Sequence, residues 1–112
     1  MRKPKAAKLN AKILQQLIHE DLNLKSTPEL KFHPSRKWRI DLAIESLKIA
    51  IEFEGGIYSG GRHTRPTGFL GDIEKYNNLT LYGWKLLRYT HTNHSYNHIL
   101  QDLEIFIENN LK

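Results

Sequence analysis

The 112-residue chain contains no cysteine, so disulfide frameworks, thiolate zinc sites and cysteine nucleophiles are excluded together. No apolar run approaches the roughly 20 residues that a membrane-spanning helix needs. The opening Met-Arg-Lys-Pro-Lys-Ala-Ala-Lys-Leu lacks the apolar core of a secretory signal. Internal repeats and low-complexity linkers are also missing. Acids are the scarcer charge, with 12 Asp and Glu against 17 Lys and Arg, a formal net charge of +5. The expectation is an intracellular, cytoplasmic protein with no membrane partner, built as a single domain over 1–112 that buries its own core. The cationic surplus favours a polyanionic partner, and nucleic acid is the commonest one.

Residues 1–8 form a basic arm in which Lys3 and Lys5 have no acid nearby. Ile13, Leu14, Leu17, Ile18 and Leu22 recur at helical spacing and predict a helix over about 8–23, stopped at Asn23. Glu29 to His33 reads as a short strand. Two runs of strict alternation follow, over 38–44 and 48–54, and predict a hairpin. A glycine-rich stretch then leads to a helix over about 69–82, with Phe69, Ile73, Tyr76 and Thr80 along one stripe and Gly83 as the stop. Trp84 to Tyr89 reads as a strand, apolar on both faces if central. Ser95 is placed to cap a last helix with an apolar stripe of Ile99, Leu100, Leu103, Phe106, Ile107 and Leu111. The expected architecture is an α+β sandwich in the order α-β-β-β-α-β-α, a mixed sheet flanked by helices.

The hairpin register follows from matching apolar to apolar residues. A turn centred between Ser46 and Leu47 sets Ile44 opposite Ile49, Leu42 opposite Ile51 and Ile40 opposite Phe53. On the other face Ala43 meets Ala50, Arg39 meets Glu54 and Asp41 meets Glu52. Like charges directly opposite are destabilising. Two facing carboxylates are tolerated when they share a proton or hold a cation between them. Glu54 lies two residues beyond Glu52 and so on the same face. Oxygen-only ligands of this kind suit Mg²⁺ or Mn²⁺. The competing reading is an open, solvated sheet face with Arg39 neutralising one acid.

The next segment favours the metal. Gly55, Gly56, Gly60 and Gly61 allow close backbone approach to a ligand, and Arg62, His63 and Arg65 add phosphate-complementary charge. Carboxylate ligands beside a basic glycine-rich loop suit phosphodiester hydrolysis. The spacing of His91, His94 and His98 also permits a zinc reading. With no cysteine and no nearby acid except Asp102, a polar connection with helix-capping residues is the favoured reading.

Phe32-His33-Pro34-Ser35-Arg36-Lys37-Trp38-Arg39-Ile40-Asp41, then Ile51-Glu52-Phe53-Glu54-Gly55-Gly56, resembles the PD-(D/E)XK nuclease superfamily. The branch it resembles is that of bacterial and phage endonucleases related to very-short-patch-repair enzymes. Gly61-Arg62-His63-Thr64-Arg65, Gly68 to Asn77 and Gly83 to Tyr89 continue the likeness, which covers about 28–90. The resemblance implies a restriction-endonuclease-like core and Mg²⁺- or Mn²⁺-dependent cleavage of duplex or branched DNA. It makes Asp41 and Glu52 metal ligands, with the Phe53 carbonyl a further one. Where the family motif usually has lysine this chain has Glu54, a further metal ligand or catalytic group. Lys75, on the following helix, and His63, an imidazole able to act as general acid or base, are the two candidates to replace that lysine. Lys3, Lys5, Arg62 and Arg65 become phosphate contacts. The alternative is a catalytically inactive module that keeps the fold and binds DNA or a protein, with RNA cleavage a third course. Dimerisation and a protein partner stay open.

Overall fold

The computed structural model describes residues 8–55 and 66–110. Its elements run α1 (Ala11–Leu22), β1 (Thr27–Lys31), β2 (Arg39–Ile44), β3 (Ile49–Glu54), α2 (Pro66–Leu81), β4 (Lys85–Thr90) and α3 (Tyr96–Asn110). The fold is α+β, a four-stranded mixed sheet in the order β1-β2-β3-β4, with β3 and β4 parallel and the other neighbours antiparallel. None of its helices is long and apolar enough to cross a membrane, among the described residues.

Helix α1 starts later than the periodicity predicts because Asn10 caps it. The Asn10 side chain accepts hydrogen bonds from the N–H groups of Lys12 (2.8 Å) and Ile13 (3.2 Å). Asn23 ends it in the left-handed region, at φ 54°. Strand β1 is displaced from the predicted 29–33, starting at Thr27 and ending before His33. Pro28 is tolerated there because β1 is an edge strand and needs no N–H on its open side. His33 leaves the strand because its Nδ1 accepts the N–H groups of Ser35 and Arg36, which folds the chain into a turn.

Core residues lie on both sheet faces. Leu42, Ile44, Ile49 and Ile51 pack with Leu14, Ile18, Ile99 and Leu103 from α1 and α3. Ile40, Ala43 and Ala50 pack with Leu79 and Trp84 at the α2 end. The two alanines admit α2 closely, where larger side chains would hold it off.

The β2–β3 register matches the apolar pairing at Leu42–Ile51, Ala43–Ala50 and Ile44–Ile49. The ladder ends there. Ile40 is not opposite Phe53, and Arg39 is not opposite Glu54. Ile40 joins the α2-side core while Phe53 packs against the other one. Across β2 on its other edge, Glu29 adopts φ 54° between the Pro28–Leu42 and Leu30–Ile40 pairs. Strand β2 therefore loses its regular alternation at Asp41.

Helix α2 ends in a Schellman motif. The Gly83 N–H donates to the Thr80 carbonyl (3.0 Å) and the Trp84 N–H to the Leu79 carbonyl (2.8 Å), while Trp84 packs with Leu79. Gly83 sits at φ 84°, and an added Cβ meets nothing closer than Lys48 Cε at 3.9 Å. The cost of Gly83→Ala is thus conformational. Chemical denaturation is expected to show a loss of about 1 kcal/mol.

The predicted α2 stripe is rotated. Leu79 is fully buried and Tyr76 half-buried, whereas Ile73 and Thr80 are exposed. Lys75 shares the inward side with Tyr76 and Leu79, drawn there by the Glu52 carboxylate. Strand β4 is an edge strand rather than a central one, with Lys85 and Arg88 exposed. In α3, Ser95 Oγ accepts the His98 N–H as an N-cap, and Ile99, Leu100 and Leu103 are buried.

Candidate functional site

The end of the β2–β3 ladder is where two carboxylates take over from backbone pairing. The Asp41 N–H donates to Glu52 Oε2 at 2.8 Å, and the Phe53 N–H donates to Asp41 Oδ2 at 2.8 Å. Each acid thus holds the opposite strand. This reciprocal pairing replaces the main-chain bonds the register would supply next, and it fixes both carboxylates at one point of the sheet. Glu52 is only 4 % exposed and Asp41 is half-buried.

The Lys75 ammonium, carried in by α2, pairs with Glu52 Oε1. One cation therefore faces two acids. Burial, and then the adjacent Asp41 charge, push the Glu52 carboxyl up to about 7, against the pull of Lys75 and of the Asp41 N–H. An excess of negative charge held out of water is what a hard divalent ion neutralises. Asp41 and Glu52 offer oxygen only, and Mg²⁺ is commonly held by one or two carboxylates while keeping several waters. The pair fits such an ion on that ground. Among the described residues no group of three or more His, Cys, Asp or Glu is arranged to hold a metal.

Glu54 stands in a second polar knot. Its Oε1 accepts the Tyr76 hydroxyl at 2.8 Å and Arg88 Nε at 2.6 Å, and the Arg88 guanidinium lies 4.7 Å from the Tyr76 ring centre. Burial and the hydrogen bond to Glu54 raise the Tyr76 phenol above its ordinary value. The same carboxylate raises the Arg88 guanidinium. These contacts clamp the end of β3 to α2 and β4.

No family model matches the chain, and no curated protein or solved structure matches it significantly.

Of the residues singled out in the sequence, Asp41, Glu52 and Lys75 come together. Lys75 pairs with Glu52 rather than with Asp72 on its own helix. Glu54 follows two residues later on β3, engaged by Tyr76 and Arg88. Phe53, whose carbonyl the resemblance offers as a ligand, is anchored through its own N–H on Asp41. His63, Arg62, Arg65, Lys3 and Lys5 lie outside the described residues, as do Gly56, Gly60 and Gly61.

The C-terminal histidines serve as backbone caps. His91 Nδ1 accepts the Leu9 N–H and His94 Nδ1 the Thr90 N–H, each at 2.9 Å, and His98 Nδ1 accepts the Ser95 N–H at 3.2 Å. A ring nitrogen that accepts an N–H has no lone pair left for zinc.

Sequence reasoning missed Arg88 and Tyr76. Parallel pairing sets Arg88 opposite Glu52, a register no turn signal announces. Tyr76 lies on the predicted stripe of the helix, and its hydroxyl is the polar handle that apolar spacing does not register.

Proposed function

We propose that this chain is a metal-dependent DNA endonuclease with a PD-(D/E)XK-type core. The observation that carries the reading is the Lys75 ammonium on the buried Glu52 carboxylate, beside Asp41. That trio supports the assignment of the displaced motif lysine to Lys75. Asp41 and Glu52 would hold Mg²⁺ or Mn²⁺, which would activate water for attack and offset charge on the phosphate.

The residues divide the remaining work. Lys75 Nζ, which pairs with Glu52 in the structure, donates a hydrogen bond to the attacking water or to an oxygen of the scissile phosphate. The water oxygen bonds to phosphorus and releases one proton to solvent, the opposite P–O ester bond breaks, and the departing oxygen takes a proton from solvent. The Glu54–Tyr76–Arg88 knot positions β3, so that Glu52 does not swing away with its strand. Net charge +5 supports a polyanionic substrate.

The test is incubation of supercoiled plasmid with the protein in Mg²⁺ or Mn²⁺. Nicking is expected from the parent, lost on chelation. Lys75→Ala is expected to cost about a hundredfold in rate and Lys75→Arg less, since it keeps the charge. Nicking that is indifferent to Lys75 removes the lysine from the mechanism. One feature favours a second reading, an inactive nucleic-acid-binding module: Lys75 already gives Glu52 a cation. Retained DNA binding without cleavage in either metal, on plasmid and on branched DNA alike, selects that reading.

A further inference from the structure

The connection between β1 and β2 carries charge and aromatic surface that the proposed cleavage does not use. From Leu30 to Ile40 the sequence holds Lys31, Arg36, Lys37 and Arg39 and no acid. Antiparallel pairing sets Lys31 opposite Arg39, both of them exposed. Like charges facing across a ladder repel, and an anion lying against them relieves that repulsion.

The turn at His33 folds Trp38 back onto Phe32, with ring centres 6.2 Å apart and planes 15° from parallel. His33 meets Trp38 edge-on at 5.2 Å and Tyr82 at 5.1 Å. The Arg36 guanidinium lies 4.0 Å over the Trp38 ring. These are planar groups of the kind on which unpaired bases stack. Arg36 also reaches Glu74 Oε2 at 3.2 Å. Glu74 immediately precedes Lys75, so the arm is fastened to α2 beside the lysine that meets Glu52.

We propose that this arm binds a single-stranded segment of DNA leading into the Asp41–Glu52 site. Its phosphates lie along Lys31, Lys37 and Arg39, and its bases stack against the Trp38–Arg36 and Tyr82 surfaces. An acidic protein satisfies the charges and leaves the rings unused, and a blunt duplex offers phosphates with its bases already stacked. An unpaired strand uses both features. That the bound strand is the one cleaved rests on the function proposed above, whereas the binding itself does not.

Binding is therefore measured without metal, in EDTA, by the fluorescence anisotropy of a labelled oligothymidylate of about 15 nucleotides. A blunt hairpin duplex, an RNA strand of matching sequence and polyglutamate serve as competitors. The parent is expected to prefer the single-stranded DNA. Trp38→Leu is expected to weaken binding about tenfold with little change in salt dependence. The double variant Lys31→Gln/Arg39→Gln is expected to weaken it at least as much and to flatten the slope of log K against log salt by about 1.4. Lys12→Gln/Lys25→Gln, which removes equal charge from exposed positions at α1, is expected to change affinity less than twofold.

The Lys31→Gln/Arg39→Gln variant is also expected to melt no lower than the parent, because it removes a repulsion. It keeps the test valid should Trp38→Leu fold poorly. Parent-like binding by the charge variant overturns the proposal. So does a stronger response to the duplex, to RNA or to polyglutamate than to the single strand. Arm-dependent binding with no cleavage sustains the arm and removes the nuclease reading. Cleavage that needs Asp41 and Glu52 but ignores the arm does the reverse.

Discussion

Asp41→Asn and Glu52→Gln are each expected to abolish Mg²⁺-dependent nicking of plasmid DNA, by roughly a thousandfold or more, while leaving the protein folded. The size follows from the role. A metal ion that activates water and offsets phosphate charge supplies several kcal/mol of transition-state stabilisation, and about 4 kcal/mol corresponds to a thousandfold. The choice of amides is deliberate. Asp41 Oδ2 accepts the Phe53 N–H and Glu52 Oε2 accepts the Asp41 N–H, and an amide oxygen preserves both acceptors. Alanine at either place leaves a part-buried N–H without a partner, at a cost of about 1–3 kcal/mol, which confuses lost chemistry with lost structure. Thermal melts therefore accompany the rates. Full activity in both amide variants ends the proposal. Lost activity with a parent-like melt localises the chemistry to the carboxylates.

Much of this arrangement is legible before any coordinates, because strand alternation is a strong signal. Matching apolar to apolar across 38–54 places Ala43 against Ala50 and brings Asp41 near Glu52, as the structure does. The stops at Asn23 and Gly83 follow from residue types that tolerate the left-handed region, where both lie. What escapes is whatever depends on side chains competing with the backbone. Reciprocal carboxylate–amide bonds at Asp41 and Glu52 end the ladder early, so Ile40 and Phe53 part to opposite cores. No periodicity encodes that. The rotation of α2 is hidden for a similar reason. Apolar spacing alone turns Ile73 inward, but the pull of buried Glu52 on Lys75 brings Lys75, Tyr76 and Leu79 to the sheet instead. The partners of Glu54 depend on the parallel β3–β4 register, which is set by tertiary packing across a long connection.

Without metal, the folded state is expected to lose stability as pH rises from about 4.5 to about 7, the span between the ordinary Glu52 value and its value in the fold. Below the lower limit the carboxyl is protonated whether the chain is folded or not, and it makes no difference. Between the limits the folded chain retains a proton that the unfolded chain has released, so raising the pH favours unfolding. The slope approaches 1.4 kcal/mol per pH unit. Above the upper limit both forms are ionised and the loss levels off on the order of 3 kcal/mol. Burial is the main cause and the Asp41 charge the next, with Lys75 limiting the penalty rather than removing it. The parent is compared with Glu52→Gln, which removes this carboxyl alone. The stability difference between the two is expected to shift in favour of the variant as pH climbs from 4.5 to 7.5 in urea denaturation. Parallel curves dismiss the raised carboxyl. Mg²⁺ adds a second, independent sign. An ion that binds only the ionised pair stabilises the fold in proportion to the logarithm of its concentration over Kd, and protons compete with it. The gain is therefore largest near pH 7.5, nearly absent near pH 5, and missing at both in Glu52→Gln. A Mg²⁺ gain of equal size in the variant assigns the ion to some other part of the chain.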